Sequence, residues 1–336
     1  MKKSYISKNF RDRYTASAKA KCDCEDILAS IGVENIGLQR KYFQNKYLSR
    51  LWSLFSMLKG ILFMKSHSLL ILQYPVAFFD FIVKRAKRKK IKIIAIIHDI
   101  NELRGGAKLI DIQNLSQVDI IIAQTEPMAC WIENQIPTSY IRVLTIFDYL
   151  NNENNFKVSQ INRLTYPIHV DFAGNLSKST FLYKLNFNPE KIVLNLYGIG
   201  WNKDLEKKPF ISYKGFFHPN DLSSNMTGGF GLVWDGDDID KCSGVNGTYL
   251  KYNSPHKLSL YLSLGKPVIV WAESASAKLV KENCLGFTID KLDEIEDKLN
   301  SLSDNDYHNI LNNVCDFQKK ILSGYFLRTA LMDIEI

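Results

Sequence analysis

Ser254-Pro255-His256-Lys257-Leu258-Ser259-Leu260-Tyr261-Leu262-Ser263-Leu264-Gly265-Lys266-Pro267-Val268-Ile269-Val270-Trp271 decides the fold class of this chain. Pro255 has its φ already set for a first helical turn, so it opens a helix. The segment Leu264-Gly265-Lys266-Pro267 stops that helix, and Val268 to Trp271 follows as an apolar run of strand length. An amphipathic helix feeding an apolar strand is the repeating unit of a parallel sheet covered by helices.

Working outward, the same alternation fills the chain. Ile168 to Ala173, Ile192 to Leu196, Phe230 to Trp234 and Pro267 to Trp271 read as strands of one sheet. Leu69 to Gln73, Ile91 to Ile97, Val118 to Ala123 and Tyr140 to Leu144 read as strands of another. Thr15 to Ser30 suits an early helix with Thr15 as its cap, and the chain from about Asp304 onward is helical. The class is therefore α/β. Between the two sets, Asp148-Tyr149-Leu150-Asn151-Asn152-Glu153-Asn154-Asn155 is polar and turn-prone, which places a linker at about 148–165.

The 336 residues, 46% hydrophobic and 23% charged, describe a globular protein long enough for two domains. The net charge of +8 is unevenly spread: residues 1–150 carry 23 Lys+Arg against 13 Asp+Glu, leaving 20 against 22 for the rest. Such a basic half asks for an anionic partner: nucleic acid, a lipid surface or an anionic lipid-linked substrate. Lys84 to Lys92 concentrates seven cations in nine residues, as the solvated end of a helix or as a lipid-surface patch beside the amphipathic segment Tyr47 to Met64. No helix-turn-helix, RNP or zinc-finger pattern supports nucleic acid. Six scattered cysteines read as reduced, mostly buried thiols of a cytosolic protein, and no export signal or spanning segment is visible.

Three loops carry chemistry. Gly174-Asn175-Leu176-Ser177-Lys178 follows a strand and offers free N–H groups and a cation, as a diphosphate requires; it reads equally as a plain strand-to-helix turn. Tyr249-Leu250-Lys251-Tyr252-Asn253-Ser254-Pro255-His256-Lys257-Leu258 joins an aromatic, Lys-rich loop to a helix N-terminus. Lys257 in the first turn opposes the helix dipole unless an anion binds. His98-Asp99-Ile100-Asn101-Glu102-Leu103-Arg104 ends a strand, where Asp99 or His98 could serve as general base; the alternative is an Asp99 cap beside a core His98. Asp235-Gly236-Asp237 has the Asp-x-Asp form of a metal motif, a weak signal that an ordinary turn also explains.

These loops, with Ile146-Phe147-Asp148-Tyr149-Leu150 and Cys242-Ser243-Gly244, stand in the order found in bacterial β-1,6-galactofuranosyltransferases of O-antigen assembly, which the chain resembles from about residue 9 to its last helix. It is similar, more distantly, to glucosyltransferases of serine-rich adhesins. The resemblance implies a GT-B enzyme of two facing Rossmann-like domains with a cleft between them: an acceptor domain at 1–150, a nucleotide-sugar domain at 151–315 and a helix at 316–336 crossing back to the first. It puts Gly174, Asn175, Lys178, Tyr249, Lys251, Asn253, His256, Lys257 and Leu258 on the donor side, and Thr15, His98, Asp99 and Arg104 on the acceptor side; the attacking hydroxyl there needs a base, for which Asp99 is the first choice and His98 the second. Tyr14-Thr15-Ala16-Ser17-Ala18 lacks the glycine that relatives often place there, and no Glu-x7-Glu pair is apparent in the donor region. The implied reaction moves galactofuranose from UDP-galactofuranose to a lipid-linked glycan, with inversion and no metal or other cofactor, at the inner face of the cell membrane. Another UDP-hexose donor, a non-catalytic nucleotide-sugar-binding scaffold and self-association remain open.

Overall fold

The computed structural model describes residues 2–11, 15–106, 109–151, 165–218 and 221–334. Tyr14 and most of the expected linker, 152–164, lie outside them. The chain forms two compact units, Met1–Asp148 with Gly324–Ile336, and Tyr149–Ser323. The segment that rejoins the first unit thus starts at Gly324, later than the 316 boundary read from the sequence.

The first unit runs β1 (Lys3–Tyr5), α1 (Ala16–Ser30), β2 (Glu34–Asn35), α2 (Lys46–Phe63), β3 (Leu69–Tyr74), α3 (Phe79–Arg88), β4 (Lys92–Ile97), α4 (Ile110–Leu115), β5 (Ile120–Ala123), α5 (Glu126–Gln135) and β6 (Tyr140–Val143). Its parallel sheet has the order β2-β1-β3-β4-β5-β6. The strand runs read from the sequence are here, with ends shifted by one or two residues. Two short strands, β1 and β2, fall outside that reading: Lys3-Ser4-Tyr5 and Glu34-Asn35 carry no apolar run, and β1 pairs along β3 while β2 pairs along β1. Thr15 caps α1 as expected, accepting from Ala18 N at 3.2 Å.

The second unit runs β7 (Ile168–Ala173), β8 (Ile192–Tyr197), β9 (Ile211–Gly215), α6 (Leu222–Asn225), β10 (Phe230–Val233), α7 (Gly244–Tyr249), α8 (His256–Ser263), β11 (Val268–Trp271), α9 (Ala277–Glu282), β12 (Gly286–Ile289), α10 (Glu294–Asn300) and α11 (Asp304–Leu322). Its sheet, also parallel, has the order β12-β11-β10-β7-β8-β9, so the winding reverses between β7 and β10. Ligands of such sheets bind at the carboxyl ends of the strands flanking that switch point. β9 and β12 are edge strands: β9 carries polar, partly exposed residues and β12 is only four residues that open on Gly286, and neither forms a long apolar run.

The core of this unit joins Phe172, Phe230 and Trp271 from the strands and Trp234 just past β10 to Leu299 and Tyr307 from the last helices. One ion pair is sealed beneath it. Asp171, fully buried, sits 3.0 Å from Lys266 and also accepts from Gly228 N at 3.0 Å and Asn195 Nδ2 at 2.9 Å. Such a pair is tolerated because both carboxylate oxygens are engaged.

The tail breaks at Gly324, whose φ of 74° suits a residue without Cβ, and α12 (Tyr325–Leu331) follows in the first unit. Asp148 caps it through both carboxylate oxygens, accepting from Phe326 N at 3.1 Å and Leu327 N at 2.8 Å. All six cysteines are free thiols, but the expectation that most are buried is corrected. Cys24 and Cys242 are buried, Cys22 and Cys315 half-buried, and Cys130 and Cys284 exposed, because the last two fall on the outer face of α5 and in the turn after α9.

Candidate active site

In the first unit the loop after β4 is tied down on three sides. His98 continues the ladder by donating its N–H to Tyr74 O at 2.8 Å, and Gln124 from the end of β5 donates to His98 O at 2.8 Å. The imidazole stacks on Phe147 at 4.8 Å and 14°, and its Nε2 lies 2.8 Å from Gln73 Oε1. Gln73 spends its own Nε2–H on Lys21 O at 3.0 Å, so its oxygen faces the ring and the neutral histidine carries its proton on Nε2. Gln73 closes an otherwise apolar strand, Leu-Leu-Ile-Leu-Gln-Tyr, and that break in the run is the signal that could have found it.

Asp99 is half exposed and ion-paired: its Oδ1 accepts from Arg104 Nε at 2.8 Å and from Ile100 N at 3.1 Å. The short turn Glu102–Arg104 that presents Arg104 is held by Asp111, which accepts from Asn101 N at 2.6 Å and from Tyr74 OH. Glu102 Oε1 in turn accepts from Asp111 N at 2.8 Å. Nearby, Lys21 donates from α1 to Pro75 O at 3.2 Å. Burial and the neighbouring Lys8 push its amine down to about 7, with Asp99 pulling the other way. Thr15, by contrast, is engaged as a helix cap.

The second unit gathers the donor-side residues at the switch point. Gly174 follows β7, and Asn175 Oδ1 accepts from Ser177 N at 3.2 Å and from Ser177 Oγ at 2.7 Å, which shapes the turn that carries Lys178 into solvent. Gly198-Ile199-Gly200 closes over this turn. A Cβ at Gly198, whose φ is 144°, would stand 1.8 Å from Gly174 O, and one at Gly200 would stand 2.8 Å from Ser177 N. That Gly-x-Gly after β8 escaped the sequence reading, although a glycine pair just past an apolar run is a legible sign of close backbone approach.

Lys257 reaches from the first turn of α8 to the ends of β7 and β10. Its ammonium donates to Asp235 Oδ1 at 2.8 Å and to Trp234 O at 2.9 Å, and lies 4.7 Å over the Phe172 ring. This corrects one argument from the sequence: a first-turn lysine needs no bound anion here, because Asp235 supplies the counter-charge. Asp237 is turned elsewhere and accepts from Thr180 Oγ1 at 2.9 Å, so the Asp-x-Asp carboxylates serve two different partners. Among the described residues no group of three or more His, Cys, Asp or Glu side chains stands close enough to hold a metal ion.

Lys251 pairs with Glu273 at 2.6 Å and lies 5.3 Å over the Trp271 ring. Asn253 Oδ1 is buried without a hydrogen-bond partner among the described residues. His256 packs against Tyr149 at 5.2 Å, while Tyr249 and Leu258 are buried. Every residue read from the sequence as donor-side thus lies in this unit: on the loop after β7, at the end of α7, between α7 and α8, or at the start of α8.

Two family models match the chain: Glucosyltransferase 3-like, N-terminal domain, over residues 3–145, and Glucosyltransferase 3-like, C-terminal domain, over residues 170–334. The chain is also 31% identical over 329 residues to the β-1,6-galactofuranosyltransferase WbbI of Escherichia coli K12, covering 96% of this chain and 95% of that one. It belongs to the glucosyltransferase 3-like family. Glucosyltransferase 3 of Streptococcus parasanguinis is 26% identical, over 92% of this chain and 90% of its own. Among solved structures, sucrose-phosphate synthase of Thermosynechococcus elongatus superposes with a TM-score of 0.60 at 10% identity, over 98% of this chain and 97% of that one. The family member described here is a glycosyltransferase with the GT-B fold, its two Rossmann-like domains being the two units above.

Proposed function

We propose that this glycosyltransferase moves a galactofuranosyl residue from UDP-galactofuranose to a hydroxyl of a lipid-linked glycan, forming a β-1,6 linkage with inversion, in surface polysaccharide synthesis. The observation that carries the donor and linkage is the 31% identity to WbbI across 96% of the chain. Breaking the anomeric bond leaves negative charge on UDP, and fixed cations and N–H groups are the means of meeting it without a metal. Lys178, exposed on the turn after β7, supplies the mobile cation; Lys257, neutralised by Asp235, acts by holding the ends of β7 and β10 in place. Asn253 Oδ1 is an unclaimed acceptor suited to a uracil N–H or a sugar hydroxyl. Asp99 takes the proton of the attacking hydroxyl, and Arg104 orients it. One displacement then suffices, with no covalent intermediate.

The test is turnover of UDP-galactofuranose against UDP-glucose in EDTA, with the product linkage read by NMR. Furanosyl transfer that persists in the chelator is expected; no binding of UDP at millimolar concentration would sink the reading. The 26% identity to Glucosyltransferase 3 supports the second reading, a glucosyl donor on the same scaffold, which the same assay separates.

A further inference from the structure

In α2 the usual burial pattern is inverted. The residues it buries are Ser49, Ser56, Met57 and Gly60. Ser49 Oγ accepts from Asn9 Nδ2 at 2.8 Å; Ser56 Oγ accepts from Leu38 N at 2.8 Å and donates to Ser7 O at 2.5 Å. At Gly60 a Cβ would stand 2.7 Å from the Ile6 side chain, so that position needs its small residue for packing. The inner face is committed through small and polar contacts, and the apolar face cannot turn inward. Leu48, Leu51, Phe55, Leu58 and Leu62 therefore form an exposed stripe at helical spacing, with Phe55 57% and Leu62 73% exposed.

The charge around this stripe selects its occupant. Between Lys46 and Lys92 the chain carries eleven Lys+Arg and a single acid, Asp80. α3 packs beside α2 and presents Phe81, 70% exposed, together with exposed Lys84, Lys87 and Arg88. Lys89 ties the two by donating to Met64 O at 2.5 Å. A second copy docked by two-fold symmetry would bring cation against cation. An anionic bilayer accepts both the apolar stripe and its cationic surround. No helix among the described residues is long and apolar enough to cross a membrane, so the geometry is that of a helix lying in the interface plane.

We propose that α2 is a membrane-docking helix: it inserts its apolar stripe into an anionic leaflet while the cations of α3 engage the headgroups. The inference deepens the reading of a lipid-linked acceptor and rests on it for its purpose, though not for its geometry. Sedimentation of the full chain with phosphatidylglycerol–phosphatidylcholine vesicles, against phosphatidylcholine alone, tests it. Binding is expected to the anionic vesicles and to weaken with salt. Leu51→Ser with Phe55→Ser should reduce it by about tenfold or more, and Lys84→Gln with Lys87→Gln and Arg88→Gln should remove its salt dependence. Binding indifferent to both variants overturns the proposal. So does wild-type protein that ignores vesicles while sedimenting as a dimer that Phe55→Ser dissociates, which would give the stripe to a second copy. UDP binding by each variant shows that it is folded, and a wild type that binds vesicles but not UDP would sink the transferase reading alone.

Discussion

Arg104 Nε donates to Asp99 Oδ1 across 2.8 Å, so the carboxylate nominated as base and the acceptor-side cation form one unit at the end of β4. Asp99→Asn keeps the size and a hydrogen-bonding oxygen but cannot take a proton. Turnover is expected to fall by about 10²–10⁴-fold with UDP affinity unchanged, since the residues proposed to hold the nucleotide lie in the other unit. Steady-state kinetics beside calorimetric UDP titration check this; equal loss in both would mark Asp99 as structural.

Lys257→Met would leave Asp235 Oδ1 and the Trp234 carbonyl without their donor. The lysine side chain is only 12% exposed, so the expected cost is about 1–3 kcal/mol of stability, read by urea unfolding. The double variant Lys257→Met with Asp235→Asn should recover part of that loss, because the orphaned charge is gone.

Gly198→Ala forces a Cβ to 1.8 Å from Gly174 O at a φ of 144°. Backbone faces it, so no side chain can yield. Stability is expected to drop by roughly 2 kcal/mol or more, and UDP affinity with it, as the turn carrying Asn175 is pushed aside. An alanine variant with wild-type melting temperature and UDP affinity would refute the close approach.

Asp148 is pushed up to about 7 by burial, against the two N–H groups of α12 that favour its charge. A carboxyl whose folded value is raised binds its proton more tightly in the folded state, so its stabilisation is complete below about pH 4 and is lost as pH rises through 7. Glu25, pushed up to about 7 by burial, adds in the same direction. Asp148→Asn should flatten the stability profile between pH 4 and 7 while retaining one cap bond; urea midpoints across that range measure the difference in slope.

Much of the sheet architecture is legible in the residues themselves. The strand Ile168–Ala173 matches its reading residue for residue, because Ile168, Val170, Phe172 and Ala173 keep its apolar character, while the buried Asp171 within it is matched by Lys266. The loops after it and after Ile97 are legible too, since glycine, asparagine and ionisable residues at the end of such a run mark where an α/β sheet meets its ligand. β1 and β12 are not, because their pairing is borrowed from neighbouring strands and leaves little trace in their own residues.

The sequence by itself determined the α/β class, the two-domain division of the chain and, through the order of its loops, the glycosyltransferase family. Only the tertiary structure decided what each charged group does. Lys257 looked like a phosphate cation and is neutralised by Asp235, from a motif whose metal signal was weak. Gln73 sets the proton on His98, and the apolar face of α2 points outward because Ser49, Ser56 and Gly60 hold the other face in. The reason is one of range. Backbone periodicity is written in residues two to four apart, whereas the partner of a charge or the covered side of a helix depends on residues tens of positions away, which the fold alone brings together.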